Sequence, residues 1–411
     1  MSVEVVNFGC RLNIAEGEAI RAAAEGQGQD NLIIINSCAV TAEAERQARQ
    51  AIRRLKRDRP EARIIVTGCA AETSGTGFAA LPEVEAVIPN ADKRRLASFG
   101  LVEEGAADLA PAVSGADHAR AFVEVQNGCD HDCTFCVTTL ARGASRSIPA
   151  GAVIDAIAAA VARGQREVIL TGVDLTSYGA DLPGAPGLGQ LVARILKHVP
   201  DLPRLRLSSL DSIEVDDQLF ELITGEPRVM PHVHLSLQSG DDLILKRMKR
   251  RHLRADAVRL VERLKKARPD IAIGADIIAG FPTEDEAMFA NSLSLLDACD
   301  IVFGHIFPYS PRPGTAAARM PQTGRAVAKA RAETLRAAVA DRKARWLDRL
   351  IGSRQALLVE LDGRTGHCPN HAGVEIVNAK DFPGGPDALR GRIMNVTITA
   401  STGDRLLGEI A

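Results

Sequence analysis

Three cysteines crowd into one short loop: Cys129, Cys133 and Cys136, spaced Cys-x3-Cys-x2-Cys in the segment NGCDHDCTFC. The loop follows directly on Ala121–Gln126, an apolar run of strand length, and a long succession of alternating strand-like and helix-like segments comes after it. Thiolates are soft ligands suited to zinc or to iron–sulfur clusters. Three of them in one loop can grip three irons of a 4Fe–4S cube and leave the fourth iron open. An open iron is what S-adenosylmethionine (SAM) chemistry needs, because the amino and carboxylate groups of SAM can chelate it. An electron from the cluster then cleaves a carbon–sulfur bond and releases a 5′-deoxyadenosyl radical. The loop's place at the carboxyl end of a strand is where barrel active sites sit. The alternative is a structural zinc with His131 as fourth ligand, for which both cysteine pairs would have to come from one crowded loop.

A second set of thiols is dispersed in sequence. Cys10, Cys38 and Cys69 close the segments VEVVNFGC, NLIIINSC and ARIIVTGC, each just past a short apolar run. In a parallel sheet the carboxyl ends of the strands share one edge, and ligands collect there. The three thiols should therefore converge, which suggests a second 4Fe–4S cluster with one free iron. The plain alternative is three buried cysteines acting as small hydrophobes. Cys299 and Cys368 have no such context and read as structural.

The periodicity divides the chain. Up to residue 102, strand-like Val3–Asn7, Leu32–Asn36 and Arg63–Thr67 alternate with helical stretches, the clearest being Ala42–Arg57, so this part reads as an α/β unit with a parallel sheet. Residues 103–119 are small and polar with Pro and Gly, as in a linker. From 120 to 350, strand candidates Ala121–Gln126, Glu167–Thr171, Leu205–Ser209, His232–Leu237, Ile271–Ile278 and Ile301–Phe307 precede a long charged helix, Gly324–Leu350. About six βα units in a row argue for an open, partial TIM-like (β/α) barrel, with a doubly wound sheet as the alternative. From 351 to 411, Gln355–Leu361, Gly373–Val377, Arg392–Ala400 and Leu406–Ile410 look like strands of a small β-barrel.

Charge and hydropathy exclude some classes. No run approaches the roughly 18 apolar residues of a membrane span, and no targeting segment is visible, so a cytoplasmic, reducing compartment is expected and disulfides are not. A net charge of −2 gives no global basic field, so contact with nucleic acid would depend on a local patch. The densest basic run, Lys246–His252, is one candidate for phosphates; a solvated helix end is the other reading. The region 351–411 holds six basic and seven acidic residues, and aromatic content is 3%, leaving few stacking platforms.

With both triads in view, nearly the whole chain resembles the radical SAM methylthiotransferases. FGCRLN, NSCAVT and TGCAAE match that family's auxiliary-cluster segment, and NGCDHDCTFC through ARGASRS matches its radical SAM loop. LTGVDLTSYG, LRLSSLDS, HLSLQSGDDLILKRMKRRH, GADIIAGFPTE and HIFPYSPRPGTAAARM continue the match, and GRTGHCPNHAGVEI with GRIMNVTITA resembles its small RNA-binding TRAM barrel. Gly172-Val173-Asp174 resembles the type acting on threonylcarbamoyladenosine in tRNA rather than the isopentenyladenosine or ribosomal-protein types. One departure is the run Val137–Ala141 before Arg142-Gly143, where the family has Ile-Ile-Pro-aromatic.

The resemblance implies two 4Fe–4S clusters, on Cys129, Cys133 and Cys136 and on Cys10, Cys38 and Cys69, together with SAM. It places Phe135 against the SAM adenine; packing beneath the loop is the alternative. Gly172, Ser209, Gln238 and Asp276 fall at expected strand ends and are candidates to hold SAM or substrate, or to serve as ordinary turn residues. The implied reaction inserts a methylthio group at C2 of N6-threonylcarbamoyladenosine at tRNA position 37, with an electron donor such as flavodoxin or ferredoxin, a sulfur source and no membrane. Competing expectations are the same chemistry on isopentenyladenosine or on a ribosomal-protein aspartate, and a non-enzymatic iron–sulfur or zinc RNA-binding sensor.

Overall fold

The structure, a computed structural model, describes residues 3–24, 31–101, 111–114 and 118–410. The amino-terminal sheet is parallel, in the order β1 (Glu4–Asn7), β2 (Leu32–Ser37), β3 (Arg63–Gly68) and a two-residue β4 (Ala86–Val87). β2 is buried along its whole length. An unbroken run of β-branched residues suits a central parallel strand covered on both faces. Helices α1 (Arg11–Ala24), α2 (Ala42–Asp58) and α3 (Cys69–Ala79) cover it. Thr41 caps α2 by accepting from the Ala44 N–H at 3.1 Å, and only Ala48, Ala51 and Ile52 of this charged helix are buried.

The six strands expected between 120 and 310 all occur. They are β5 (Arg120–Glu124), β8 (Glu167–Thr171), a strand broken at Ser208 into β9 (Arg204–Leu207) and β10 (Ser209–Leu210), β11 (His232–Gln238), β12 (Ala272–Ala279) and β13 (Ile301–Pro308). The break divides them into two parallel sheets, β5–β8–β9 and β10–β11–β12–β13. Between β5 and β8 lie an antiparallel pair, β6 (Gln126–Asn127) with β7 (Arg146–Ser147), and helices α4 (Thr138–Arg142) and α5 (Ala150–Ala162). Helices α6 (Leu188–His198), α7 (Asp217–Gly225), α8 (Asp242–Arg247), α9 (Arg254–Ala267) and α10 (Glu286–Ala298) fill the later connections. The main core lies between these strands and helices, with Val168, Leu170, Leu205, Leu235, Ile273 and Ile277 at its centre.

The long helix α11 (Arg325–Asp348) buries Ala328, Ala332, Leu335 and Val339 at three- and four-residue spacing, and its end delivers Trp346 and Leu347 into the next core. That core fills a closed barrel, β14 (Arg354–Val359), β15 (Thr365–His367), β16 (Gly373–Ile376), β18 (Leu406–Ile410) and β17 (Ile393–Ser401) in order around it. One strand, β15, exceeds the four expected: three residues centred on Gly366 are too few to make an alternating pattern.

The proposed linker 103–119 falls largely outside the described residues. Its described part is not a free tether: Val113 bridges Val123 of β5, and Ala112 and Ser114 are buried. Among the described residues no helix is long and apolar enough to cross a membrane.

Candidate functional site

Register explains why the dispersed cysteines come to one edge of the sheet. Asn7 pairs with Asn36, and Asn36 with Thr67, so β1, β2 and β3 end level. Cys10, Cys38 and Cys69 follow those ends. A Cβ placed on Gly9 would lie 2.8 Å from Cys38 Sγ, so only glycine lets the two loops approach, and its φ of +100° is a glycine conformation. Burial pushes the Cys38 thiol up to about 11 against the pull of the Val40 N–H, with Cys10 and Cys69 adding to the rise.

The central loop is pinned by its own backbone. Gly128, at φ +73°, packs so close that a Cβ would sit 1.9 Å from the Ala144 carbonyl oxygen. Each sulfur in the loop has a donor. The His131 N–H reaches Cys129 Sγ at 3.4 Å and the Thr138 N–H reaches Cys136 Sγ at 3.4 Å. Arg250 donates to Cys133 Sγ at 3.6 Å. Burial pushes Cys129 up to about 12 and raises Cys133. Sulfurs surrounded by N–H donors but too buried to ionise alone are suited to a metal that displaces the proton. The donor set of the central loop therefore fits a cluster there. His131, the fourth ligand of the zinc alternative, turns Nε2 to Asp174 Oδ2 at 2.7 Å.

Arg142, the last residue of α4, links the segment after the cysteine loop to the amino-terminal triad. It donates to Cys69 Sγ at 3.1 Å, to both oxygens of Glu16 at 3.0 Å and to Asn127 Oδ1 at 2.8 Å. Glu16 also takes Lys93 at 2.5 Å, and both side chains are 1% exposed. Burial alone would raise the Glu16 carboxyl; Arg142 and Lys93 outweigh it and hold it at about 2. Sequence reasoning missed this network. The available signal was helical spacing: Asn13 and Glu16 stand three and six residues beyond Cys10.

The other expected contacts divide. Phe135 packs edge-on to Phe281, with ring centroids 6.5 Å apart. Gly172 follows β8, where Gln126 Oε1 accepts from the Val173 and Asp174 N–H groups at 3.0 and 2.9 Å. Ser209 is exposed at the strand break, and Gln238 ends β11 with φ +68°. Asp276 differs from expectation: it lies inside β12, not at its end, and accepts from His234 Nε2 and His305 Nδ1, each at 3.1 Å. Those two imidazoles hold its carboxyl well below the usual range despite burial. The alternation His232, His234, Ser236, Gln238 along β11 was the missed sign that one face of this strand is polar.

The basic run Lys246–His252 is mostly engaged internally. Arg250 meets Asp211 and the Ser236 carbonyl, each at 2.8 Å, Arg251 meets Glu214 at 2.7 Å, and Lys249 pairs with Asp132 of the cysteine loop. It braces that loop, while Lys246, Lys249 and Arg251 stay exposed.

Comparison with known proteins agrees with this arrangement. Residues 123–296 match the Radical SAM superfamily, and residues 2–89 match Uncharacterized protein family UPF0004. The threonylcarbamoyladenosine tRNA methylthiotransferase MtaB of Rickettsia prowazekii is 46% identical, covering 91% of each chain. MtaB of Thermotoga maritima is 34% identical over 87% of this chain and 86% of its own. The tRNA-2-methylthio-N(6)-dimethylallyladenosine synthase of Paracoccus denitrificans is 31% identical over 99% of this chain and 96% of its own. The radical SAM methyltransferase TsrM from Kitasatospora setae, with cobalamin and a [4Fe-4S] cluster bound, shares the fold at TM-score 0.53 and 14% identity, over 75% of this chain and 70% of that one. With a radical SAM domain and such identity over nine-tenths of its length, the chain belongs to the radical SAM methylthiotransferases of the MtaB type.

Proposed function

We propose that the chain inserts a methylthio group at C2 of N6-threonylcarbamoyladenosine at position 37 of tRNA, using SAM and two 4Fe–4S clusters. The observation that carries this reading is the 46% identity to a protein of that activity, across a chain in which Arg142, just after the cysteine loop, donates to Cys69 of the other triad. In this reading Cys129, Cys133 and Cys136 hold the SAM-binding cluster and Cys10, Cys38 and Cys69 the auxiliary one. Bound there, the clusters supply the electron that cleaves SAM and the sulfur to be transferred, which an unactivated C2–H bond requires.

The chain's own residues orient and shield. The N–H donors of His131, Thr138 and Arg250 fix the first set of sulfurs, and Arg142 fixes Cys69. Phe135, Gly172, Ser209 and Gln238 surround the SAM position; Asp276 acts one layer deeper, through His234 and His305. The six strands of 120–350 curve into a partial TIM-like barrel, residues 1–102 form the auxiliary-cluster unit, and the closed barrel of 351–411 is a TRAM-like RNA module. A flavodoxin- or ferredoxin-like protein supplies electrons, and a separate sulfur source recharges the site in the cytoplasm.

Deleting the gene and digesting total tRNA to nucleosides tests the reading. Loss of methylthio-threonylcarbamoyladenosine, with its precursor accumulating, is the expected mass spectrum. Loss of the isopentenyl counterpart instead would move the substrate, and an unchanged nucleoside profile would turn attention to ribosomal proteins. Anaerobic reconstitution should give about eight irons per chain, from the standard stoichiometry of two cubes. Zinc without iron would favour the sensor.

A further inference from the structure

The interior of the barrel is unusually cationic on the side facing the carboxyl-terminal domain. Glu167 is fully buried between Arg206, at 2.8 Å, and Arg204, at 3.7 Å. Glu360 pairs with Arg120 at 2.5 Å. A fourth guanidinium enters from another element. Arg11, the first residue of α1 and the neighbour of Cys10, lies within electrostatic range of Arg120, Arg206 and Glu167. Among the described residues its guanidinium makes no hydrogen bond or ion pair. Three arginines, 120, 204 and 206, thus meet two carboxylates, 167 and 360, and Arg11 adds a further cation within range.

Buried donors are unmatched in the same place. Arg206 is 0% exposed, yet its Nη1 has no partner. His232 is 5% exposed with neither ring nitrogen bonded, and His371, whose tilted ring lies 4.8 Å from it between centroids, leaves Nδ1 free. Burial and nearby cations, Arg11 among them, keep both imidazoles uncharged, so each offers one N–H. Buried donors without acceptors are costly. A carboxylate would satisfy several at once, and a charge-assisted bond to arginine is the strong kind.

We propose that Arg11, together with Arg206 Nη1, His232 and His371, binds the carboxylate of the threonyl arm on the substrate base and so selects that base over one with an apolar N6 substituent. The inference rests on the substrate reading above. A threonylcarbamoyl group carries a free carboxylate at neutral pH, and a dimethylallyl group carries none. A site built around unpaired donors discriminates because the wrong ligand leaves them buried and unsatisfied. The position of Arg11 beside Cys10 would hold the arm near the auxiliary triad while the adenine faces the SAM site.

The test uses the reconstituted enzyme and anticodon stem-loops bearing threonylcarbamoyladenosine, its carboxyl methyl ester, or isopentenyladenosine. Equilibrium binding is read by anisotropy, and KM and kcat by nucleoside mass spectrometry. Wild type should bind the acid about 10- to 100-fold more tightly than the ester, the range for a buried charged hydrogen bond. Arg11→Gln should lose that preference by weakening on the acid alone, with the effect mainly in KM, and Arg11→Lys should restore part of it. Iron content of each variant separates lost cofactor from lost recognition. If Arg11→Gln loads poorly, the wild-type ester comparison and Arg11→Lys decide. Equal wild-type affinity for acid and ester overturns the proposal. So does an Arg11→Gln enzyme whose cluster signal shifts while its acid preference persists, because Arg11 would then serve the cluster. If wild type methylthiolates only the isopentenyl stem-loop, the substrate reading itself fails and this proposal falls with it.

Discussion

Replacing Glu16 by glutamine removes one charge from the centre of the junction between α1 and the cysteine loop. The carboxylate takes Lys93 at 2.5 Å, Arg142 through two nitrogens at 3.0 Å each, and Asn127 at 3.0 Å. The amide keeps one acceptor oxygen and turns an NH2 toward the cations, so two buried positive groups lose a negative partner. Each charged hydrogen bond is worth about 1.5–3 kcal/mol, and breaking a buried pair from one side costs about 3–5 kcal/mol. Native-state hydrogen exchange of α1 amides in metal-free protein at neutral pH reads this locally, where a single global unfolding energy would be ill-defined. Exchange should accelerate about 140- to 3,700-fold, from 1.4 kcal/mol per decade. Adding Lys93→Met should recover part of the loss, because the stranded ammonium goes with it. The carboxyl is held at about 2 against an ordinary 4.5, so its contribution is complete above 4.5 and fades as pH falls from 4.5 toward 2. The gap between variant and wild type should close over that window. Protection within about 0.5 kcal/mol of wild type at neutral pH, or no recovery in the double variant, would refute the reasoning.

Gly128→Ala should cost the loop its shape, since the new Cβ would press 1.9 Å from a backbone oxygen at a φ of +73°; the expected result is roughly half the iron after reconstitution, read by colorimetric assay. In metal-free protein, Cys129 sits at about 12, so its alkylation by iodoacetamide should rise about tenfold per pH unit from 7 to 10. A plateau below pH 9 in mass-spectrometric mapping would show that the thiol is not desolvated as the structure has it.

How far the chain could be read in advance depends on the kind of signal each residue leaves. The cysteine triads were visible because thiols are rare and because a parallel sheet brings strand ends together regardless of sequence distance. The run of isoleucines in β2 and the charged face of α2 announced themselves through burial pattern and period. Asp276 reads as a strand-end residue in the sequence, but β12 continues three residues past it, to Ala279. Arg142, Glu16 and Lys93 were illegible for another reason: a buried ion pair joins residues more than seventy positions apart, and a lone charge in sequence looks solvated until its partner is seen. Lys246–His252 shows the same limit in reverse, a basic run resembling a nucleic-acid patch that folds back on Asp211, Glu214 and Asp132.

The bond from Arg142 to Cys69 bears on how such a chain can change over time. Its amino-terminal sheet has the outline of an exchangeable module, with its own core and its own thiols. Yet the receptor for Arg142 is distributed over Asn13, Glu16 and Cys69, on two different helices of that sheet. A transplanted sheet lacking any of the three would strand a buried guanidinium in the host. Shuffling therefore has to carry the cysteine loop along with the sheet, and the two halves are constrained to be inherited as a matched set.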